Sequence, residues 1–187
     1  MPPKRFKSRD WLALALSQLS AHGPDALRLE AICAAAGLTK GSFYHHFKDH
    51  DAFLQAVIRE WEQRHTQQLI DQVDIPANPS AAMVDLSDMA MALDYHLEVA
   101  IRDLARRTPE IAAIVQGVDT RRIDFLAQIY RAVFDVSAED AKIAAKIEYA
   151  AFMGLILIQP DIDKTEQRTI AARFEDVMRT YFSRDTT

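Results

Sequence analysis

Residues 27–48 read LRLEAICAAAGLTKGSFYHHFK, and the reading of this stretch decides the fold. Leu29, Ile32, Cys33 and Ala36 share one face at helical spacing, which predicts a short helix over about 29–36. Gly37 closes it, because a residue without a Cβ accepts the left-handed backbone that commonly ends helices. Thr39 then offers a side-chain oxygen to cap a third helix, Lys40 to Phe47. Upstream, Leu12, Leu16 and Leu19 mark a first helix from about Ser8 to Ala21, stopped by His22-Gly23-Pro24. Three short helices with a glycine turn before the third form a helix-turn-helix pattern. The small side chains of Ala31, Ala34, Ala35 and Ala36 let two of them approach closely.

Outward from this stretch the rest of the chain also reads as helix. Asp49 can cap a long amphipathic helix carrying Leu54, Val57, Ile58, Trp61, His65 and Leu69, which ends before the breaker Ile75-Pro76-Ala77-Asn78-Pro79. Met83, Leu86, Met89, Leu93, Leu97, Ile101 and Leu104 then hold one stripe as far as Arg107. Thr108-Pro109 suits the start of a short helix that Gly117 breaks, and Ile123, Leu126, Ile129, Tyr130 and Val133 mark the next. Ser137 opens a helix that is apolar on all faces from Tyr149 to Ile158, and a last helix shows Ile170, Phe174, Val177, Met178 and Tyr181. The expectation is an all-α fold of about nine helices and no strand. It divides into a three-helix head over 1–50 and a helical body over 51–187.

Composition agrees. Of 187 residues, 49% are hydrophobic and 26% charged, with only 5 Gly and 7 Pro, too few turn residues for a β-sandwich or a doubly wound sheet. A single cysteine, Cys33, rules out a disulfide framework and a cysteine-rich zinc site. The charged start MPPKRFKSRDW has no apolar core of a signal peptide, and the longest uncharged run is about half a membrane span. The expectation is a cytoplasmic protein with no membrane partner. The net charge of −5 is unevenly placed. Residues 1–48 hold seven basic and three acidic side chains, a net of +4, while the remainder holds fifteen and twenty-four, a net of −9. A basic module on an acidic body suits a nucleic-acid contact confined to the N-terminal part. On the third helix, Lys40, Ser42, His45 and the following Lys48 can donate to phosphates or base edges, Tyr44 adds a hydroxyl, and Gly41 permits close backbone approach.

The 27–48 stretch resembles the DNA-binding signature of TetR-family transcriptional regulators, and DHDAFLQAVIREWE after it is similar to that family's fourth helix. The resemblance is specific over residues 8–65 and continues more loosely through residues 100–134. It implies a homodimer that binds double-stranded operator DNA, a small-molecule effector in the body, and repression released by that effector. It further implies that Thr39 caps the recognition helix and touches a phosphate. Lys40, Ser42 and His45 would face the major groove, while Tyr44 and Lys48 hold the backbone. Phe43 and Phe47 would lock the recognition helix onto helices one and four, with His46 structural or near a phosphate. Arg28 departs from the pattern, standing where many members have a capping threonine, so the cap comes from elsewhere or Arg28 meets a phosphate. His45 replaces a common aromatic residue, so no operator preference carries over.

In the body, polar or aromatic residues within apolar stripes are candidates for an effector pocket, which needs a few polar groups in an apolar lining. These are Trp61, His65, Met89, Tyr95, His96, Phe125, Glu148, Tyr149 and Met153, each with an alternative as ordinary core or surface. The basic set Arg102, Arg106, Arg107, Arg121 and Arg122 reads as an anionic-effector site or, more often for such residues, a solvated face paired with acids. The all-apolar belt needs cover on every side, and a partner subunit is an economical one. Tyr149, Phe152, Leu155 and Ile156, with Phe174, Met178 and Phe182 of the last helix, are the dimer-contact expectation, against a plain central core helix. Cys33 reads as a core residue rather than a redox sensor, and His45, His46 and His50 as unsuited to sharing a metal across a helix boundary. No nucleophile-and-base pair, phosphate-cradling loop or metal spacing supports an enzyme or a cofactor. An all-α protein that binds a small molecule or a protein without reading DNA is the alternative.

Overall fold

The computed structural model describes residues 6–184, so Lys4 and Arg5, counted in the basic head, lie outside the described residues. Every described element is helical. They are α1 Ser8–His22, α2 Leu29–Ala36, α3 Lys40–Tyr44, α4 His50–Glu62, α5 Gln68–Gln72, α6 Pro79–Met91, α7 Tyr95–Arg107, α8 Pro109–Phe134, α9 Ala138–Ile158 and α10 Lys164–Arg184. A 3₁₀ turn, Pro24–Leu27, precedes α2. A π-helical turn, Gln63–Gln67, joins α4 to α5, so these two read as one helix interrupted and the count falls to nine. None of the described helices is long and apolar enough to cross a membrane.

Local chemistry explains the boundaries. Gly37 is left-handed at φ 64° and ends α2. Thr39 accepts the Ser42 N–H at 3.3 Å, Asp49 accepts that of Ala52 at 2.7 Å, and Ser137 accepts that of Asp140 at 3.1 Å. Asn78, within the expected breaker, caps α6 by accepting the Ala81 N–H at 3.1 Å, with Pro79 in the first turn. Three expectations are corrected. The stripe from Met83 to Arg107 is two helices, because the Asp94 carboxylate takes the Leu97 N–H at 3.2 Å and starts α7 afresh. Gly117 does not break α8, whose buried Val115 and Val118 on either side hold the helix through it. Finally, α3 stops at Tyr44 rather than Phe47.

The chain forms two compact units, each drawn from two segments. The first holds the residues up to Arg64 and Asp94–Gln116. Its core stacks aromatic edges: Phe43 of α3 stands 5.5 Å from Trp11 of α1 and 5.1 Å from Phe53 of α4 between ring centroids, all three fully buried. Within it, α7 buries Leu97, Ile101 and Leu104, and its buried Glu98 accepts the Trp61 indole N–H at 2.8 Å. Ser20 of α1 donates to Asp94 at 2.6 Å.

The second unit holds His65–Leu93 and the chain from Gly117 onward. Its core joins Met83 of α6, Ile129 and Tyr130 of α8, Ala141, Ala144 and Ala145 of α9, and Met178 and Phe182 of α10. Three small alanines on one face let α9 sit close against its neighbours.

Candidate nucleic-acid interface and ligand cavity

The first unit presents α3 with one side fixed and the other free of the core. Phe43 and, at the turn beyond, Phe47 point inward. Lys40, Gly41, Tyr44, His45 and Lys48 are exposed, and Ser42 is half-buried. A Cβ on Gly41 would meet only the Thr39 hydroxyl, at 3.6 Å, so close approach from outside is unobstructed by the fold. Lys40 does not wait alone. Its ammonium donates to Glu30 of α2 at 2.5 Å, and that pair lowers the Glu30 pKa and raises that of Lys40. Glu30 is therefore a neighbour that sequence reading missed, since its partner lies ten residues on, across the turn.

Arg28 occupies the N-cap of α2 without a capping side chain and pairs with Asp25 at 3.0 Å, well exposed. His46 Nδ1 lies 3.2 Å from the Ser8 hydroxyl, and His50 Nε2 donates to the Leu27 carbonyl at 2.8 Å. These two rings thus serve separate packing bonds. Burial raises the Cys33 thiol pKa, the opposite of what a reactive thiolate needs.

The second unit contains a cavity of about 610 Å³, the size of a small-molecule site. Residues of α5, α6, α8, α9 and α10 line it, chiefly aliphatic and aromatic. Of the expected pocket residues, His65, Phe125, Glu148 and Tyr149 line it. Met89 and Met153 belong to the same unit but not to this lining, whereas Met83 and Met91 do line it. Trp61 and Tyr95 are buried in the core of the first unit, and His96 is on that unit's surface. An apolar stripe marks a covered face and does not say whether a cavity or a core covers it.

Polar side chains interrupt the apolar wall, Asp88, Gln167, Arg168 and Glu175 among them, and two hydrogen-bonded groups join its helices. Arg122 donates to the Thr66 hydroxyl at 2.8 Å, to the His65 carbonyl at 3.1 Å and to the Tyr149 hydroxyl at 3.4 Å. Tyr149 in turn donates to Asp119 at 2.6 Å, which balances the guanidinium's charge locally. Of the other arginines flagged from sequence, Arg106 and Arg107 pair with Asp103, and Arg107 also with Asp25. The second group is Glu148, which accepts the Tyr130 hydroxyl at 2.6 Å. Burial, with the Glu175 charge nearby, raises the Glu148 pKa, and the same burial raises that of Tyr130.

Ile156, Met178 and Phe182 are buried within the single chain, and Tyr149, Phe152, Leu155 and Phe174 line the cavity. The outward side of α9 instead shows Ile143, Ile147 and Ile158, and that of α10 shows Ile170, Val177 and Tyr181, each 41–79% exposed. The apolar belt of α9 covers a core, a cavity and a surface at once, and its sequence looks the same for all three.

Residues 12–57 match the family model of bacterial regulatory proteins, tetR family. The HTH-type transcriptional regulator UidR of Escherichia coli K12 is 26% identical over 115 residues, 60% of this chain and 58% of that protein. The HTH-type transcriptional repressor KstR2 of Mycolicibacterium smegmatis is 27% identical over 103 residues, 54% of this chain and 50% of that one. The chain thus spans little more than half the length of the curated relatives it matches. Among solved structures, regulatory protein TetR from Rhodobacter sphaeroides shares the fold with a TM-score of 0.68 at 24% identity, over 94% of this chain and 96% of that one.

Proposed function

From the premise that this chain belongs to the TetR family of bacterial regulatory proteins, we propose that it is a DNA-binding transcriptional regulator acting as a homodimeric, effector-released repressor. One observation carries the reading. A capped α3 is anchored through Phe43, while Lys40, Tyr44, His45 and Lys48 stand exposed around it. Such a helix enters a major groove with its donors outermost, and a two-fold pair reads half-sites about 34–36 Å apart. Arg28 and the Thr39 hydroxyl lie at helix N-termini, where unpaired N–H groups and the helix dipole favour phosphate.

The outward stripes of α9 and α10 supply a self-complementary apolar face for the second copy. The cavity supplies an effector site, and an effector that favours one of two head spacings shifts the population between them. An effector that binds both equally shifts nothing.

Selection of binding sequences from a random duplex library by the whole protein, near physiological salt, tests this reading. Enrichment of an inverted repeat is expected, with binding that falls steeply as salt rises. Failure of the folded protein to enrich any sequence would overturn it and leave an all-α ligand-binding protein.

A further inference from the structure

The cavity's chemistry goes further than its volume. Glu148 presents a carboxyl group to a wall that is otherwise largely apolar, and its hydrogen-bond partner there is the neutral Tyr130 hydroxyl at 2.6 Å. A carboxylate desolvated in this way is costly unless a cation meets it. The neighbouring acid, Glu175 of α10, has its own cation in Arg179, at 2.5 Å. Arg122, which also lines the cavity, is engaged with Thr66, the His65 carbonyl and Tyr149. Among the described residues, therefore, no cationic side chain is bonded to this acid where it faces the cavity.

Aromatic side chains line the same cavity: Phe125 and Phe134 of α8, Phe152 of α9 and Phe174 of α10. Ring faces attract cations and apolar bodies together, most strongly where water is excluded. Together, a desolvated carboxyl and aromatic walls match a molecule with one diffuse positive charge on a bulky apolar body.

We propose that the effector of this protein is a lipophilic organic cation, held in the α5–α10 cavity with its charge against Glu148 and its apolar body against the aromatic walls. The inference rests on the effector-responsive reading but is tested without DNA. An organic anion placed there would bring its charge against Glu148, while the lining arginines already have partners: Arg122 bonds Thr66, the His65 carbonyl and Tyr149, and Arg168 lies 4.0 Å from Asp88. Tyr130 acts as a positioning residue, holding the carboxyl in one orientation.

Two probe ions of nearly the same shape and opposite charge, tetraphenylphosphonium and tetraphenylborate, separate charge recognition from simple greasiness. Calorimetric titration of each into the whole wild-type protein is expected to show the cation binding at least about tenfold more tightly. In Glu148→Gln the cation's advantage is expected to vanish while the anion binds no worse. Equal affinities, a preference for the anion, or no saturable binding of either ion by the wild-type protein would overturn the proposal. So would a folded Glu148→Gln variant that keeps the preference. The comparison of the two ions on the wild-type protein stands even where that variant does not fold. Failure here beside an enriched inverted repeat would leave the regulator and remove the cation. Cation binding without any enriched sequence would do the reverse.

Discussion

At the scale of single residues, two carboxylates hold the functional chemistry in check. Glu30 occupies the Lys40 ammonium, so in the proposed DNA complex a phosphate or base edge must displace it. Both groups are exposed, and such a pair yields readily to a strong competitor and to salt. Glu30→Gln is therefore expected to strengthen operator binding several-fold and steepen its salt dependence, whereas Lys40→Ala weakens binding about five- to tenfold. Fluorescence anisotropy on the selected operator across a salt series checks both. Glu148 acts on stability instead. Burial raises its folded pKa above that of an ordinary glutamate, so the folded chain keeps a proton that the unfolded chain gives up. Its contribution is fully favourable at acidic pH and is lost as pH rises from the unfolded carboxyl pKa through the raised folded one. Glu148→Gln removes that loss. The variant is expected to melt higher at neutral pH, by about 2–4 °C per kcal/mol relieved, with the difference closing towards pH 4 in a pH series of thermal melts.

At the scale of elements, what the sequence discloses is what is decided within a few residues. Thr39, Asp49 and Ser137 each cap the helix expected of them, because an N-cap is a contact three residues long. Gly37 ends α2 for an equally local reason. The misreadings have a shared origin in packing. Gly117 looks like a break because its flexibility is local, yet the burial that overrides it comes from other helices. The two glycines therefore respond oppositely to the same change. Gly37→Ala forces a side chain into φ 64° and is expected to cost about 1 kcal/mol, whereas Gly117→Ala, with open space around it and a helical backbone, is expected to gain about as much. Urea denaturation midpoints moving in the same direction for both would refute this. Likewise, the periodicity of α9 announces an apolar helix without saying which side meets the core, which a cavity and which nothing in its own chain.

At the scale of the whole molecule, that third side is the one a second copy would cover. Ile147→Glu combined with Val177→Glu places charges in the exposed stripes and is expected to yield a folded monomer, seen as a halved mass in light scattering. Ile156→Ala or Phe182→Ala strikes the interior instead, and is expected to cost about 2–5 kcal/mol of stability while the association state persists. The exposed residues around α3 were legible because helix, turn and cap are contiguous over residues 27–48. The cavity was only partly legible, because its walls come from five helices spread from His65 to Met178. The carboxyl at position 148 also sets what a selection experiment would find. Variants chosen for heat resistance at neutral pH are expected to collect neutral residues there, and under the proposed function each would survive the oven while going deaf to the cation. Robustness and responsiveness would then be opposite ends of a choice made at one side chain, and a stabilised form of the proposed regulator would serve best as a permanently closed switch.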